Sequence, residues 1–444
     1  MNFIDQIVIP PSANHILLLR YIFIVSLLIF LPYLGMMMGA SFFSVYFNRK
    51  GDKIHARFAK DIIEKLAITK NAELGLGIIP LFSILFIYAQ LLYQANTITV
   101  SILSLSVIFF IAAFISIYKY RSGFEIESVI KSLKKSGSGK NEEAAEFEEK
   151  LVRNTTVSGK IGTTLLYIAA YLFVGSMALA SSPERWPDVN NILQVLFSTA
   201  TIFNFIFLLA LAGTLTGAAV LFYFFKWQGG LKGMDDEYSS FVKHFGINLA
   251  FVSSIAIPVL MFFSFLFLPE RALSNDVFLF IILLIALALI LSNVLYMMYK
   301  NSETSYIVPV FFFVLVIFAF NIFKEETVLG NALQKQSYTV IQKSDEFEKE
   351  VKSKLVVSSG ISGKEIYNTK CIACHRFDVK LVGPPYQETV PKYKGDVQKL
   401  ADFVYSPTQN NPGYPPMPNQ GLKKKEAVAV AKFLIDSVAA MQKK

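Results

Sequence analysis

Residues 275–299 read NDVFLFIILLIALALILSNVLYMMY, with no charged side chain between Asp276 and Lys300. A helix that crosses the hydrocarbon core of a bilayer needs roughly 20 predominantly apolar residues, and this run supplies them. Seven further stretches qualify, near 15–47, 72–94, 97–119, 160–181, 191–226, 246–268 and 305–323. The whole chain agrees: of 444 residues, 54% are hydrophobic, 41 are Phe and 17% are charged, where a soluble domain carries about 25% charged residues. Mean hydropathy is +0.48. A water-soluble globule of this composition would leave a large apolar surface in water. The expected fold is all-α, a polytopic transmembrane bundle of eight spans over residues 1–323.

Orientation follows from the Lys and Arg between the spans, because cations are retained on the cytoplasmic side. The segment 48–70 carries Arg49, Lys50, Lys53, Arg57, Lys60, Lys65 and Lys70, and the segment 121–158 carries seven more. The segments 95–96, 182–190 and 269–274 hold only Arg185 and Arg271. The two basic segments are therefore expected in the cytoplasm and both termini on the periplasmic side of a bacterial inner membrane. Residues 1–14 have no basic run and contain Pro10-Pro11, so the first span is expected to direct insertion. Trp186 and Trp227 mark span ends at the level where aromatic belts form.

The connector 121–158 sets its cations against Glu125, Glu127, Glu142, Glu143, Glu146, Glu148 and Glu149 around Ser136-Gly137-Ser138-Gly139. It reads as two short surface helices with a hinge. After Phe323 the character changes. Residues 324–358 are polar and rich in Lys and Glu, the pattern of a tether, and 359–444 have the ordinary composition of a small soluble domain.

That last stretch holds the chemistry. Both cysteines of the chain lie in Cys371-Ile372-Ala373-Cys374-His375. Two is too few for a disulfide framework, and CxxCH is the spacing of covalent c-type haem attachment. Two thiols three residues apart on one helical turn reach the two vinyl-derived carbons of one porphyrin, and the next residue places an imidazole under the iron. The domain has no second His, and its methionines are Met417 and Met441. Met417 sits in the stiff loop Tyr414-Pro415-Pro416-Met417-Pro418, which can hold a thioether at low entropic cost; Met441 lies past the last helix. Met417 is the expected second iron ligand, the alternative being a surface-loop methionine with the iron open or bound by Lys.

The surrounding residues, from Gly363-Lys364-Glu365-Ile366-Tyr367 through Leu381-Val382-Gly383-Pro384-Pro385 to a helical apolar pattern at 427–438 with Phe433 facing inward, resemble a class I cytochrome c domain. The resemblance covers under a fifth of the chain. It implies terminal helices that cross over one covalent haem c, His375 as the proximal iron ligand, and a Pro384 carbonyl that accepts the imidazole Nδ1 proton. From Ser359 onward the domain carries 13 Lys and Arg against 7 Asp and Glu, and Lys423, Lys424 and Lys425 cluster after Met417. Such a patch suits a redox partner with an acidic docking face.

The spans offer little titratable chemistry. Outside the haem motif the histidines are His15, His55 and His244, and the expected topology puts no two of them on one iron, so haem b is not expected. Arg20 is a charge within an apolar span, which calls for a partner: a lipid or quinone head group, an acid on another subunit, or snorkelling to the surface. Gly35 with Gly39 and Gly213 with Gly217 have the close-packing spacing. Pro32, Pro80 and Pro258 are expected to kink their spans. The basic helix expected at 53–70 and Asn71-Ala72-Glu73-Leu74-Gly75-Leu76-Gly77 resemble the start of subunit I of cytochrome bd oxidases, although the His, the His and Met pair and the intramembrane acids of that family have no counterparts here.

These readings imply a membrane-anchored monohaem cytochrome c that passes single electrons on the periplasmic face, within a respiratory or photosynthetic complex of several membrane subunits. No catalytic site is evident, and nothing points to nucleic acid. A bd-like quinol-oxidising subunit and a structural bundle with a redox-sensing haem domain are the alternatives.

Overall fold

The computed structural model describes residues 9–67, 73–135, 142–301, 304–358, 362–408 and 413–442. Among these residues every regular element is a helix, and eight helices are long and apolar enough to cross a membrane. Two compact units divide the chain, Met1–Ile341 and Gln342–Lys444.

In the first unit, α1 (Ala13–Asn48) leads into a short helix α2 (Lys53–Leu66). The spans α3 (Glu73–Leu91), α4 (Thr99–Lys135), α5 (Glu142–Ala180), α6 (Thr199–Phe225), α7 (Asp236–Leu266), α8 (Asn275–Asn301) and α9 (Ile307–Ala332) follow. Several helices begin where a small polar side chain satisfies free backbone N–H groups: Ser12 accepts from His15, Asp52 from His55, Ser198 from Thr201 and Asp235 from Tyr238. The Ser198 cap ends the apolar run at 191–226 as one helix, leaving Ile192–Leu196 as a separate short turn.

α6 lies at the centre of the bundle, with 78% of its apolar window buried against 28% for α7 and 33% for α8. Small residues let it sit there. A Cβ on Gly39 of α1 would collide with the Thr216 side chain, and one on Gly217 would stand 2.5 Å from the Ala250 nitrogen and 2.6 Å from the Gly246 carbonyl of α7. Both close-packing glycine pairs thus join helices within this chain. Pro32 and Pro258 lie inside α1 and α7. Pro80 sits just after the π-helical opening Glu73–Ile78 of α3, where that opening passes into α-helix.

α2 is amphipathic and buries Phe58, Ile62, Ile63 and Leu66 completely. Phe58 packs edge-on to Phe47, Phe241 and Phe245 at 4.9–5.3 Å. Ser44 of α1 donates to the Ala59 carbonyl at 2.5 Å and lies 3.0 Å from the Tyr120 hydroxyl, tying α1, α2 and α4 together. Residues 68–72, with the start of the Asn71–Gly77 motif, lie outside the described residues.

Two charged segments differ from their expected form. The connector 121–158 does not fold as two short surface helices. α4 runs unbroken to Lys135 and α5 starts at Glu142, so both spans continue as one long hairpin. The charges alternate at helical spacing, with Arg121 to Glu125 at 3.5 Å and Lys150 to Glu146 at 2.6 Å, and a helix already formed in the span extends without a new nucleation cost. The hinge at 136–139 lies outside the described residues.

The polar residues after Phe323 likewise begin as structure. α9 continues through them to Ala332, and α10 (Gln334–Ser358) is helical throughout. Lys324 is 2% exposed, with Glu325 at 2.6 Å and its ammonium 5.7 Å above the Phe207 ring. Glu326 forms an ion pair with Arg20. The partner of Arg20 is therefore an acid of this chain, and Gly330 makes room for the guanidinium, since a Cβ there would collide with it.

The second unit has three helices of note: α11 (Gly363–Ile366), which runs on as a π turn Tyr367–Cys371, α12 (Val397–Tyr405) and α13 (Lys424–Gln442). α13 buries Ala427, Val430, Ala431, Leu434 and Val438, the stripe that its periodicity predicts. α11 crosses it at Gly363, where a Cβ would strike the Ala429 carbonyl and approach Phe433 Cβ to 2.8 Å.

Two outcomes are expected. Gly217→Ala overpacks the α6–α7 contact at a cost of about 1–3 kcal/mol and lowers the melting temperature in detergent, whereas Gly75→Ala, with nothing within 4 Å of the new methyl, leaves it unchanged. Arg20→Ala strands the Glu326 carboxylate, 13% exposed, and costs about 1–3 kcal/mol; in a double-mutant cycle the Arg20→Ala, Glu326→Ala protein recovers part of that loss. An additive cycle would deny the pair its role.

Candidate haem site

The turn that carries the cysteines is fixed by backbone bonds. The Cys371 carbonyl accepts from the Cys374 and His375 nitrogens at 3.1 and 2.9 Å, and the Cys374 carbonyl accepts from Gly383 at 2.8 Å. That last bond folds the chain back, and Tyr386 and Gln387 then donate to the Arg376 and Phe377 carbonyls at 3.0 Å each. The fold-back brings the residues on either side of His375 against its ring.

The imidazole is held on three sides. Its Nδ1 lies 2.9 Å from the Pro384 carbonyl. A carbonyl only accepts, so Nδ1 is the donor in this bond, and Nε2 is the ring nitrogen left to face a metal. Tyr386 stacks on the ring at 5.1 Å and 24°. Gly383 lies so close that a Cβ there would collide with the imidazole. Gly383 and Tyr386 are positioning residues whose importance the sequence did not reveal. A Gly before two prolines and an aromatic directly after them are the only local signals.

His375 opens onto a cavity of about 360 Å³, lined also by Cys371, Cys374, Pro384, Leu400, Phe403, Val404, Leu434 and Met417. Thus the five residues Cys371, Cys374, His375, Pro384 and Met417 come together across more than forty positions of sequence. Met441 does not join them; its sulfur lies 3.6 Å from the Gln387 side-chain nitrogen, beside a different cavity. The Met417 loop is steadied by Lys380, whose ammonium sits 4.6 Å from the Tyr414 ring centre, and by Asn419, whose side chain accepts from the Gly421 nitrogen at 2.8 Å. No disulfide joins the two cysteines, and burial pushes the Cys371 thiol up, partly opposed by its hydrogen bond to Tyr386.

The donor set fits an iron porphyrin. Two thiols, a nitrogen lone pair and a thioether share one largely apolar cavity, and the ring that offers the lone pair is oriented by groups of this chain. Lys423, Lys424 and Lys425 are exposed at the start of α13 but outside this lining. The lysines on the rim are Lys370, Lys392 and Lys399.

The remaining histidines sit apart. His15 is exposed near the start of α1, His55 faces Asp52 at 2.5 Å on α2, and His244 bonds the Ser240 carbonyl on α7 at 2.8 Å.

A family model described as Cytochrome c matches residues 361–436. Cytochrome c-551 of Azotobacter vinelandii is 36% identical over 78 residues, which are 17% of this chain and 95% of that protein. Cytochrome c-551 of Pseudomonas denitrificans is 33% identical over the same extent, and that of Pseudomonas aeruginosa is 34% identical over 71 residues, 68% of its length. No solved structure matches the chain. A relative matched along nearly its whole length, at a site whose geometry suits the same group, decides the matter: through its C-terminal unit this chain belongs to the cytochrome c family, and with that family come haem c and electron transfer.

Proposed function

We propose that the chain is a membrane-anchored monohaem c-type cytochrome that passes single electrons on the periplasmic face, as one subunit of a respiratory or photosynthetic complex. The observation that carries this reading is the convergence of Cys371, Cys374, His375 and Met417 on one cavity in a chain with eight apolar spans. Cys371 and Cys374 would hold the porphyrin by thioether links, and His375 and Met417 would ligate the iron. When bound, haem c supplies a one-electron carrier, and a thioether ligand favours its ferrous form relative to a second imidazole.

The chain's own residues set the conditions. The Pro384 carbonyl holds the proton on Nδ1 and raises the basicity of Nε2. Leu400, Phe403, Val404 and Leu434 give the cavity an apolar lining, which suits electron transfer rather than oxygen chemistry. Lys370, Lys392 and Lys399 on the rim would draw an acidic face of a redox partner, chiefly through association rate. Eight spans exceed what an anchor needs, so the bundle would also be a platform for other membrane subunits, with the basic ends of α1, α2, α4 and α5 in the cytoplasm.

Two measurements test the reading. The oxidised protein should show a near-infrared sulfur-to-iron band that is lost in Met417→Ala and kept in Met441→Ala; a band that survives Met417→Ala refutes the ligand assignment. A pyridine haemochrome spectrum of the purified chain should show one haem c per polypeptide. Haem b in that spectrum would favour the bd-like, quinol-oxidising alternative instead.

A further inference from the structure

A cavity of about 680 Å³ opens on the outside of the bundle between α1, α5 and the segment that leads into α6. Its α1 wall includes Phe42, Tyr46 and Arg49, and its α5 wall includes Lys160, Thr163, Tyr167 and Tyr171; Leu196 and Phe205 close the far end. Phe42 and Tyr46 are about half exposed, so the groove faces the surroundings of the bundle, which for spans of this hydropathy are lipid.

Its character changes from one end to the other. Arg49 caps the end of α1 and Lys160 stands at the corresponding level of α5. Neither has a carboxylate within ion-pair distance among the described residues, although the neighbouring Arg57, Lys60, Arg121 and Lys150 each have one. From there the groove becomes aromatic: Phe42 stacks along Tyr46 at 6.4 Å and tilts onto Tyr167 at 6.2 Å, and Tyr171 meets Phe205 edge-on at 4.9 Å. The α5 wall runs from Lys160 to Leu172, twelve residue steps or about 18 Å at 1.5 Å per residue. One leaflet of a ~30 Å hydrocarbon core is about 15 Å deep, so the length is that of one acyl chain.

Thr163 adds a donor to the same wall. Several helical threonines bond back to the carbonyl four residues earlier, as Thr156, Thr214 and Thr327 do, whereas the Thr163 hydroxyl has no partner among the described residues and belongs to a side chain that lines the groove. Thr163 lies three residues from Lys160, so on the same helix face, where rotation about its Cα–Cβ bond would turn the buried hydroxyl toward an ester or phosphate oxygen held by the two cations.

We infer that this groove binds one anionic phospholipid, its phosphate between Arg49 and Lys160, an oxygen on Thr163 and an acyl chain along Phe42, Tyr167 and Tyr171. The site belongs to the leaflet that meets the basic end of the bundle. It is separate from the haem cavity and involves no redox step.

The test uses the full chain purified in mild detergent, delipidated and titrated with phosphatidylglycerol or phosphatidylcholine, with retained lipid counted by native mass spectrometry. One phosphatidylglycerol should be retained at a concentration at least tenfold lower than phosphatidylcholine. Arg49→Gln with Lys160→Gln should abolish that preference while haem absorbance and helical circular dichroism stay unchanged. Lys53→Gln with Lys65→Gln, which removes equal charge from α2, should keep it. If the double variant does not accumulate, Lys160→Gln alone, at an exposed position, should cut the preference several-fold. Equal retention of the two lipids, a preference untouched by the groove substitutions, equal loss in the α2 control, or a quinone in the organic extract in place of lipid would each overturn the assignment.

Discussion

In hydrocarbon a backbone N–H or C=O has no water to turn to, and leaving one unpaired costs several kcal/mol. Every span of this chain answers by closing its bonds along its own helix, and the rest follows from where those helices must stop and how they must meet. They stop at Ser12, Ser198 and Asp235, whose side chains take over from the missing carbonyls. They meet without a hydrophobic drive, because lipid is as apolar as leucine. Contact instead comes from close approach at glycines and from a sparse set of polar ties such as Ser44 with Ala59, Ser254 with Ser292 at 2.9 Å and Arg20 with Glu326.

The C-terminal unit is built differently, around a small apolar core of its own with Tyr367, Leu400, Val430 and Leu434 at its centre. Three backbone irregularities lie where the chemistry is: a π turn that ends at Cys371, a fold-back at Gly383 and a proline-stiffened loop at Met417. The imidazole is oriented by a main-chain carbonyl, so its tautomer depends on loop conformation rather than on any titrating neighbour.

Spans were legible because hydropathy over twenty residues is a local property, and the CxxCH site was legible because it is a contiguous motif. What escaped was set by distance. Lys324, Glu325 and Glu326 read as the start of a polar tether, since nothing nearby shows that Arg20, some three hundred positions earlier, stands opposite. The connector at 121–158 read as surface helices because its charges suit water, and they do; the sequence is silent on whether a span simply continues outward. Tyr386 carries no local signal for a similar reason. Its role comes from the fold-back that lays it on His375, and an aromatic after two prolines carries no such message by itself.

α6 is clasped from both sides: by Gly35 and Gly39 of α1 on one face, and through its own Gly213 and Gly217 by Ser253, Gly246 and Ala250 of α7 on the other. Its diameter is therefore a shared dimension of three helices. A lineage that enlarges a side chain on α6 has to trim one on α1 or α7 in compensation, so drift at these positions proceeds by paired exchanges. The centre of the bundle is free to change its residues over time while the spacing between its axes stays fixed.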